Sequence, residues 1–413
     1  MFDMVMEKTI DKRICMGIYF RTGLGYESDD MTGISHLVEH MLFRRLNKIS
    51  NEELYSILNK TGATLSGCTY PDGIQFKFVF NREYIDTILE LVNNLFCTHC
   101  WTRKEVELEK KIILRQIRES GYGDEDKLDE LYYEGCYYAK KVAGNKSSVK
   151  SITVEAVNKF AKEFITVSNA GVVLTGAYDE SVVKLINEAM ITISNSKEND
   201  IKPELIPYQF PCRFEKRNEN DIVCKRWQYD SRIIVSFDVS KRNELEKLLL
   251  LDMVFLGDGS VIGNSLREAA GLTGNILTEV SRNRGFTKYT AYFDVQNGDE
   301  EEAIALLIDE IARFLKSDKS KHLEENIRFY IDGSDICSSI SEHNTWIGYG
   351  KYLINDNHYF AEDTSELYGQ MNAETLDDRA KELFVKSNMS LSVLKGSGST
   401  VTKKTILKYW NML

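Results

Sequence analysis

At 413 residues the chain is longer than one ordinary hydrophobic core supports, so two or more domains are expected. With 43% hydrophobic and 28% charged residues it reads as globular rather than disordered. A formal net charge of −11 with no Lys/Arg stripe excludes a phosphate-binding nucleic-acid surface. An acidic surface is the ordinary solubility device, and it also suits peptides that carry Lys or Arg.

The chain starts Met1-Phe2-Asp3-Met4 and lacks the basic start and apolar run of a secretory signal. No apolar stretch approaches the roughly 20 residues that span a bilayer, so no membrane span is expected. Eight scattered cysteines read as reduced thiols and a cytoplasmic location. Cys97-Thr98-His99-Cys100 has the look of a metal knuckle but lacks a second Cys/His pair at ligand spacing, so ordinary packing is expected.

Strand patterns fall at 13–20, 75–80, 172–174, 232–239 and 288–295. Helical patterns fall at 33–44, 84–96, 102–119, 154–164, 244–255 and 301–316. A turn at 29–33 precedes the first of these helices, and Thr32 is its expected N-cap. Strands mixed with helices outside strict βαβ units predict α/β (α+β) domains, each a mainly antiparallel sheet packed with helices.

Three of the four prolines (Pro203, Pro207, Pro211) lie close together after a polar run, which predicts a linker. The expected division is 1–195, a linker at 196–211, and 212–413. The halves also repeat: Phe160-Ala161-Lys162-Glu163-Phe164 before 168–176 matches Ala380-Lys381-Glu382-Leu383-Phe384 before 387–396. Two homologous domains follow from that match together with the linker.

The chemistry concentrates in the first long helical pattern. Ile34, Leu37, Val38, Met41 and Leu42 form one apolar stripe. His36, Glu39 and His40 gather on the opposite face, two imidazoles one turn apart with a carboxylate beside them. That spacing lets two histidines grip one metal ion while the glutamate takes a proton from water. Other candidates are bland. His322, His343 and His358 have no second ligand at metal spacing. Gly257-Asp258-Gly259-Ser260 lacks the Lys-Ser/Thr of a phosphate loop and reads as a turn. Tyr132-Tyr133 and Tyr137-Tyr138 read as packing aromatics.

The His-x-x-Glu-His order is that of the inverted zinc peptidases. With 33–43, 62–69, 105–116, 149–153, 169–176 and 265–272, the chain resembles the pitrilysin/insulinase/mitochondrial-processing-peptidase family over nearly its whole length. The resemblance implies two homologous domains enclosing a cleft, and a Zn²⁺ cofactor held by His36 and His40, with Glu39 as base. It further implies that Glu109 supports the site and that the third ligand stands at position 116. That residue is Gln116, a neutral amide where the family has a carboxylate; Glu119, about one turn or roughly 4.5 Å further along, is the nearest replacement.

The family binds peptide as an added strand, which here implicates Leu65, Ser66 and Gly67, with Ser66 where the family has Asn. The family also places an Arg and a Tyr against the substrate carbonyl. Arg267 matches the first, and Gly274 stands at the second.

Two functions follow from the resemblance. The first is a zinc-dependent endopeptidase for short unfolded peptides, working as a homodimer or with a related peptidase-like chain whose residues complete the site. The second is a catalytically impaired binding or scaffold subunit of a heterodimer, favoured by Gln116, Gly274 and Ser66. Retention of His36, Glu39, His40 and Glu109 favours the first.

Overall fold

The computed structural model describes residues 3–120, 128–130, 132–195, 223–225, 230–239, 244–333, 339–354 and 367–412. They fall into two compact units. The first takes Met1–Tyr122, Lys140–Tyr208 and Cys337–Phe360, the second Gly123–Ala139, Gln209–Ile336 and Ala361–Leu413. Each unit therefore follows one half of the sequence but takes in a segment from the other half. The linker expected at 196–211 lies outside the described residues.

The first unit begins with β1 (Asp3–Glu7), β2 (Ile14–Arg21) and α1 (Ile34–Arg44). A small hairpin follows, β3 (Arg45–Leu46) and β4 (Ile49–Ser50), then α2 (Asn51–Thr61). Next come β5 (Thr64–Tyr70), β6 (Gly73–Phe80), α3 (Ile85–Phe96) and α4 (Arg103–Ser120). A helix at Val154–Phe164, β7 (Ala170–Gly176) and a helix at Glu180–Asn195 complete this half. The five-stranded sheet has the order β1-β7-β2-β6-β5, antiparallel except for the β1–β7 pair.

The second unit contains β8 (Val223–Lys225), β9 (Ser231–Val239), β10 (Leu277–Asn283), β11 (Phe286–Val295) and β12 (Met389–Lys395). Its sheet has the order β10-β11-β9-β12-β8, again with one parallel pair, β12–β8. Read from the other edge, this is the topology of the first sheet, strand for strand. The sequence repeat sits at equivalent places. Helix Val154–Phe164 ends at Ile165 (φ −89, ψ 70) before β7, and helix Ala373–Leu383 ends at Phe384 (φ −90, ψ 56) before β12. The mixed α/β, antiparallel-rich, two-domain expectation therefore holds.

Alternation in the strands sets the core of the first unit. Ile14, Met16, Ile18 and Phe20 of β2 and Ile74, Phe76, Phe78 and Phe80 of β6 turn to one face, where the α1 stripe Ile34, Leu37, Val38, Met41 and Leu42 packs on them. Each such side chain contributes roughly 1.5–3 kcal/mol by leaving water. That packing fixes α1 against the sheet with its His36/Glu39/His40 face turned away from the core.

The opposite face of the sheet is covered by a helix, Ile340–Gly348, and a π-helical turn, Tyr349–Leu353, from the second half of the sequence. Conversely, Asp129 from the first half meets Lys288 Nζ at 2.8 Å in the second unit, and the Tyr133 and Tyr138 rings each lie 5.7 Å from Phe286. Those tyrosines pack, as their sequence suggested. No helix among the described residues is long and apolar enough to cross a membrane.

Candidate metal and peptide site

The observed α1 starts one residue later than its pattern, and its cap differs from the expectation. Gly33, at φ 97, is the N-cap and supplies no side chain. Thr32 instead donates its hydroxyl to the Asp29 carbonyl at 3.1 Å. The free N–H groups at the start of the helix are taken by Glu27, whose oxygens accept from Gly33 N at 2.7 Å and Ser35 N at 2.9 Å. Burial pushes the Glu27 carboxyl above its ordinary range, although these bonds oppose that shift. Sequence spacing missed Glu27 because it caps from six residues upstream, beyond any N-cap or capping-box position.

On the exposed side of α1 the two imidazoles face each other with centroids 4.6 Å apart and planes at 71°. Glu39 Oε2 lies 3.5 Å from His36 Nδ1, too far for a hydrogen bond, and that buried nitrogen has no hydrogen-bond partner among the described residues. Glu39 itself is buried, and its Oε2 accepts the Thr69 hydroxyl at 2.7 Å. Burial alone favours a protonated Glu39. The contacts with His36 and Thr69 outweigh it and hold the carboxyl below its ordinary range.

In the sequence Thr69 is simply the last residue of the 62–69 segment. Its position two residues beyond Gly67 puts both on the face of β5 turned toward α1. A Cβ at Gly67 would come within 2.7 Å of Glu39 Oε1, so only glycine lets the strand pass this close to the Glu39 carboxylate.

Helix α4 is brought to α1 by a chain of ion pairs. Thr102 and Glu105 form its capping box: Glu105 N donates to Thr102 Oγ1 at 3.3 Å, and Glu105 Oε2 accepts from Thr102 N at 2.7 Å. The same Glu105 takes the Arg45 guanidinium at 2.6 and 3.2 Å, just past the end of α1. One turn on, the buried Glu109 holds His40 Nδ1 at 3.2 Å with Oε2 and pairs with Arg44 through Oε1. Burial opposes ionisation of Glu109, but His40 and Arg44 prevail and keep it below the ordinary range. Since Glu105 meets Arg45 and Glu109 meets Arg44 and His40, the two helices run antiparallel. The later turns of α4 therefore head toward the His36 end of α1.

Gln116 lies two turns beyond Glu109 on the same side of α4. Its side chain is exposed and makes no hydrogen bond to a described residue. Glu119 is exposed and pairs with Arg115 Nε at 2.6 Å. Among the described residues no group of three His, Cys, Asp or Glu side chains is placed to hold a metal ion. The residues that come together are thus His36, His40, Glu39 and Glu109. Two imidazoles one turn apart, one buried nitrogen without a hydrogen bond among the described residues and an adjacent carboxylate are of the donor types a zinc ion takes.

Leu65, Ser66 and Gly67 lie on β5, at the free edge of the sheet, where they pair with Phe78, Lys77 and Phe76 of β6. Arg267 belongs to the second unit, in the π-helical turn Gly263–Ala269, where Asp258 and, at 3.4 Å, Glu268 engage its guanidinium. Gly274 stands in the loop before β10.

The remaining candidates are structural. His99 stacks on Trp101 at 4.8 Å and its Nε2 lies 3.0 Å from the Leu95 carbonyl, while Cys97 and Cys100 are free thiols. His343 pairs with Glu7 at 2.9 Å, and His322 lies against Phe314. His358 lies outside the described residues.

Residues 3–145 match the sequence profile of the insulinase family, peptidase family M16, and residues 151–328 match its companion profile, described as the peptidase M16 inactive domain. The chain belongs to the insulinase family. A zinc protease of uncharacterized role from Bacillus subtilis, YmxG, is 19% identical over 94% of this chain and 94% of its own length. The mitochondrial-processing peptidase subunit beta of Dictyostelium discoideum is 22% identical over 49% of this chain, a match that covers 45% of that protein. A crystal structure of a peptidase M16 inactive domain from Pseudomonas fluorescens shares the fold at TM-score 0.80, with 14% identity over 97% of this chain and 96% of that one. A putative M16-like peptidase from Alicyclobacillus acidocaldarius does so at TM-score 0.74, with 18% identity and 95% coverage of each.

Proposed function

We propose that this insulinase-family chain is a zinc-dependent endopeptidase for short unfolded peptides, with its reactive centre on the His36/Glu39/His40 face of α1. The observation that carries this reading is the outer support of that face. Glu109 grips His40, Thr69 grips Glu39, and the Gly67 segment of β5 runs beside the base. A solvated helix face has no use for a buried carboxylate behind one imidazole and a hydroxyl on the neighbouring glutamate.

Zinc, when bound, supplies Lewis acidity that acidifies water and polarises a carbonyl. The chain supplies the rest. With its Nδ1 proton directed at Glu109, His40 presents the Nε2 lone pair outward, the arrangement that fixes tautomer and ring orientation in metal sites. His36 presents its ring from one turn away. Glu39, ionised and oriented by Thr69, takes the proton of the attacking water and passes it to the leaving amine. The free edge of β5 offers backbone N–H and C=O groups to an extended peptide, largely independent of its side chains.

The alternative, a binding subunit that has lost catalysis, draws on one observation: the neutral, exposed amide of Gln116 in place of a charged third ligand. Relatives described as mitochondrial-processing subunits support a paired assembly, either two copies of this chain or this chain with a related one. Cleavage of a quenched peptide library by the wild-type chain, alone and with a candidate partner, tests the proposal against Glu39→Gln. Loss of cleavage in the variant supports the peptidase. No cleavage in either form supports the binding subunit, and equal cleavage in both overturns Glu39 as the base.

A further inference from the structure

An edge strand has one ladder to hold it, so its straightness depends on what backs its faces. Strand β5 is backed by α1 on the core side. Its outward residues are Ser66, Cys68 and Tyr70, and their Cα partners on β6 are Lys77, Gln75 and Gly73. All three of those positions are in contact with the segment 340–353, which comes from the second half of the sequence.

The contacts form a continuous chain. Lys77 Nζ donates to Thr345 Oγ1 at 2.6 Å and to the Ser341 carbonyl at 3.0 Å. Gln75 Nε2 donates to Thr345 Oγ1 at 3.0 Å, and Gln75 Oε1 accepts the Tyr70 hydroxyl at 2.9 Å. The Tyr70 ring meets Tyr349 edge-on at 5.0 Å. The segment itself is firmly seated. The fully buried Asn344 donates to the Cys15 and Val173 carbonyls at 3.1 and 3.0 Å, and a Cβ at Gly348 would enter the Tyr19 ring.

We propose that the segment 340–353 positions the peptide-binding edge, with Thr345 and Tyr349 acting through Lys77, Gln75 and Tyr70 to fix the backbone line that β5 offers. The half of the chain without the metal motif thereby governs peptide binding in the half that has it. This assignment rests on the peptide reading proposed above. Thr345 and Tyr349 are positioning residues, since neither touches the candidate centre. Thr345→Val keeps the side-chain shape and removes the oxygen that gathers Lys77 and Gln75; Tyr349→Leu removes the ring against Tyr70.

Amide hydrogen exchange on the intact chain reads the effect directly and needs no activity. In both variants the protected amides of residues 64–70 are expected to exchange about tenfold faster, while those of α1 keep their rates. Thr345→Ser is expected to restore the wild-type pattern. With a cleavable peptide, KM should rise about three- to tenfold, by more than kcat falls, at unchanged zinc content. Unchanged exchange in 64–70, or equal loss of protection in 64–70 and α1, overturns the assignment. Absence of cleavage in every form would sink the peptidase reading instead, and the exchange result still decides the positioning role.

Discussion

Replacing Asn344 by alanine should destabilise the first unit more than any surface change of similar size. The carboxamide is fully buried and donates to Cys15 O, Val173 O and Thr175 Oγ1, at 3.1, 3.0 and 3.2 Å. The Tyr19 hydroxyl lies 2.8 Å from its Oδ1 but also 2.7 Å from the Asn344 backbone carbonyl, which alanine retains. The loss therefore falls on the two N–H hydrogens shared among these three acceptors and on the space left by the amide. At about 0.5–1.5 kcal/mol net for each hydrogen bond, the expected cost is about 2–4 kcal/mol. For a unit of this size that lowers Tm by roughly 5–12 °C. Thermal unfolding followed by far-UV circular dichroism measures the change, and hydrogen exchange of β2 and β7 assigns it to the first unit. A shift under about 1 °C would show that the segment 340–353 is only loosely laid on the sheet.

Two further outcomes follow from α4. Changing Gln116 to Glu supplies a charged oxygen on the face that carries Glu109, and zinc affinity measured by competition with a chelator should rise at least about tenfold; no change means that position 116 does not face the metal. The Arg45 guanidinium, aided by Thr102 and opposed by burial, holds the Glu105 carboxyl down to about 2 from its ordinary 4.5. Its folded value is depressed, so its stabilising effect is complete above about pH 4.5 and fades as pH falls toward 2. Solvent screening of this partly exposed pair limits that effect to about 1 kcal/mol. Urea titrations across that window should lose about this amount in the wild type and not in Glu105→Gln, and identical acid profiles would contradict the pairing.

The features read correctly from sequence are those written in local periodicity. The α1 stripe, the Val154–Phe164 helix and the alternating strands follow from spacing alone, and strand ends moved by only one or two residues. The polar His36/Glu39/His40 face of α1 was legible because His36 and His40 are one helical turn apart. What supports it was legible only in part. Glu109 stood in a recognisable pattern, whereas Thr69 and Glu27 act through contacts that no helical or strand period encodes. Least legible was the segment 340–353. Its two glycines and polar Asn344 look like a surface loop, yet they are buried against residues more than 300 positions away. Gly348 serves close approach to the Tyr19 ring, a reason visible only once the sheet is formed.

The central claim, that the His36/Glu39/His40 face is a zinc centre, is tested most directly by zinc stoichiometry of the purified chain beside His36→Ala and His40→Ala. About one zinc ion per wild-type chain is expected, with loss of that ion in each variant and folding otherwise intact. A metal-free wild-type chain that fails to take up added zinc, or zinc retained by both variants, would contradict it.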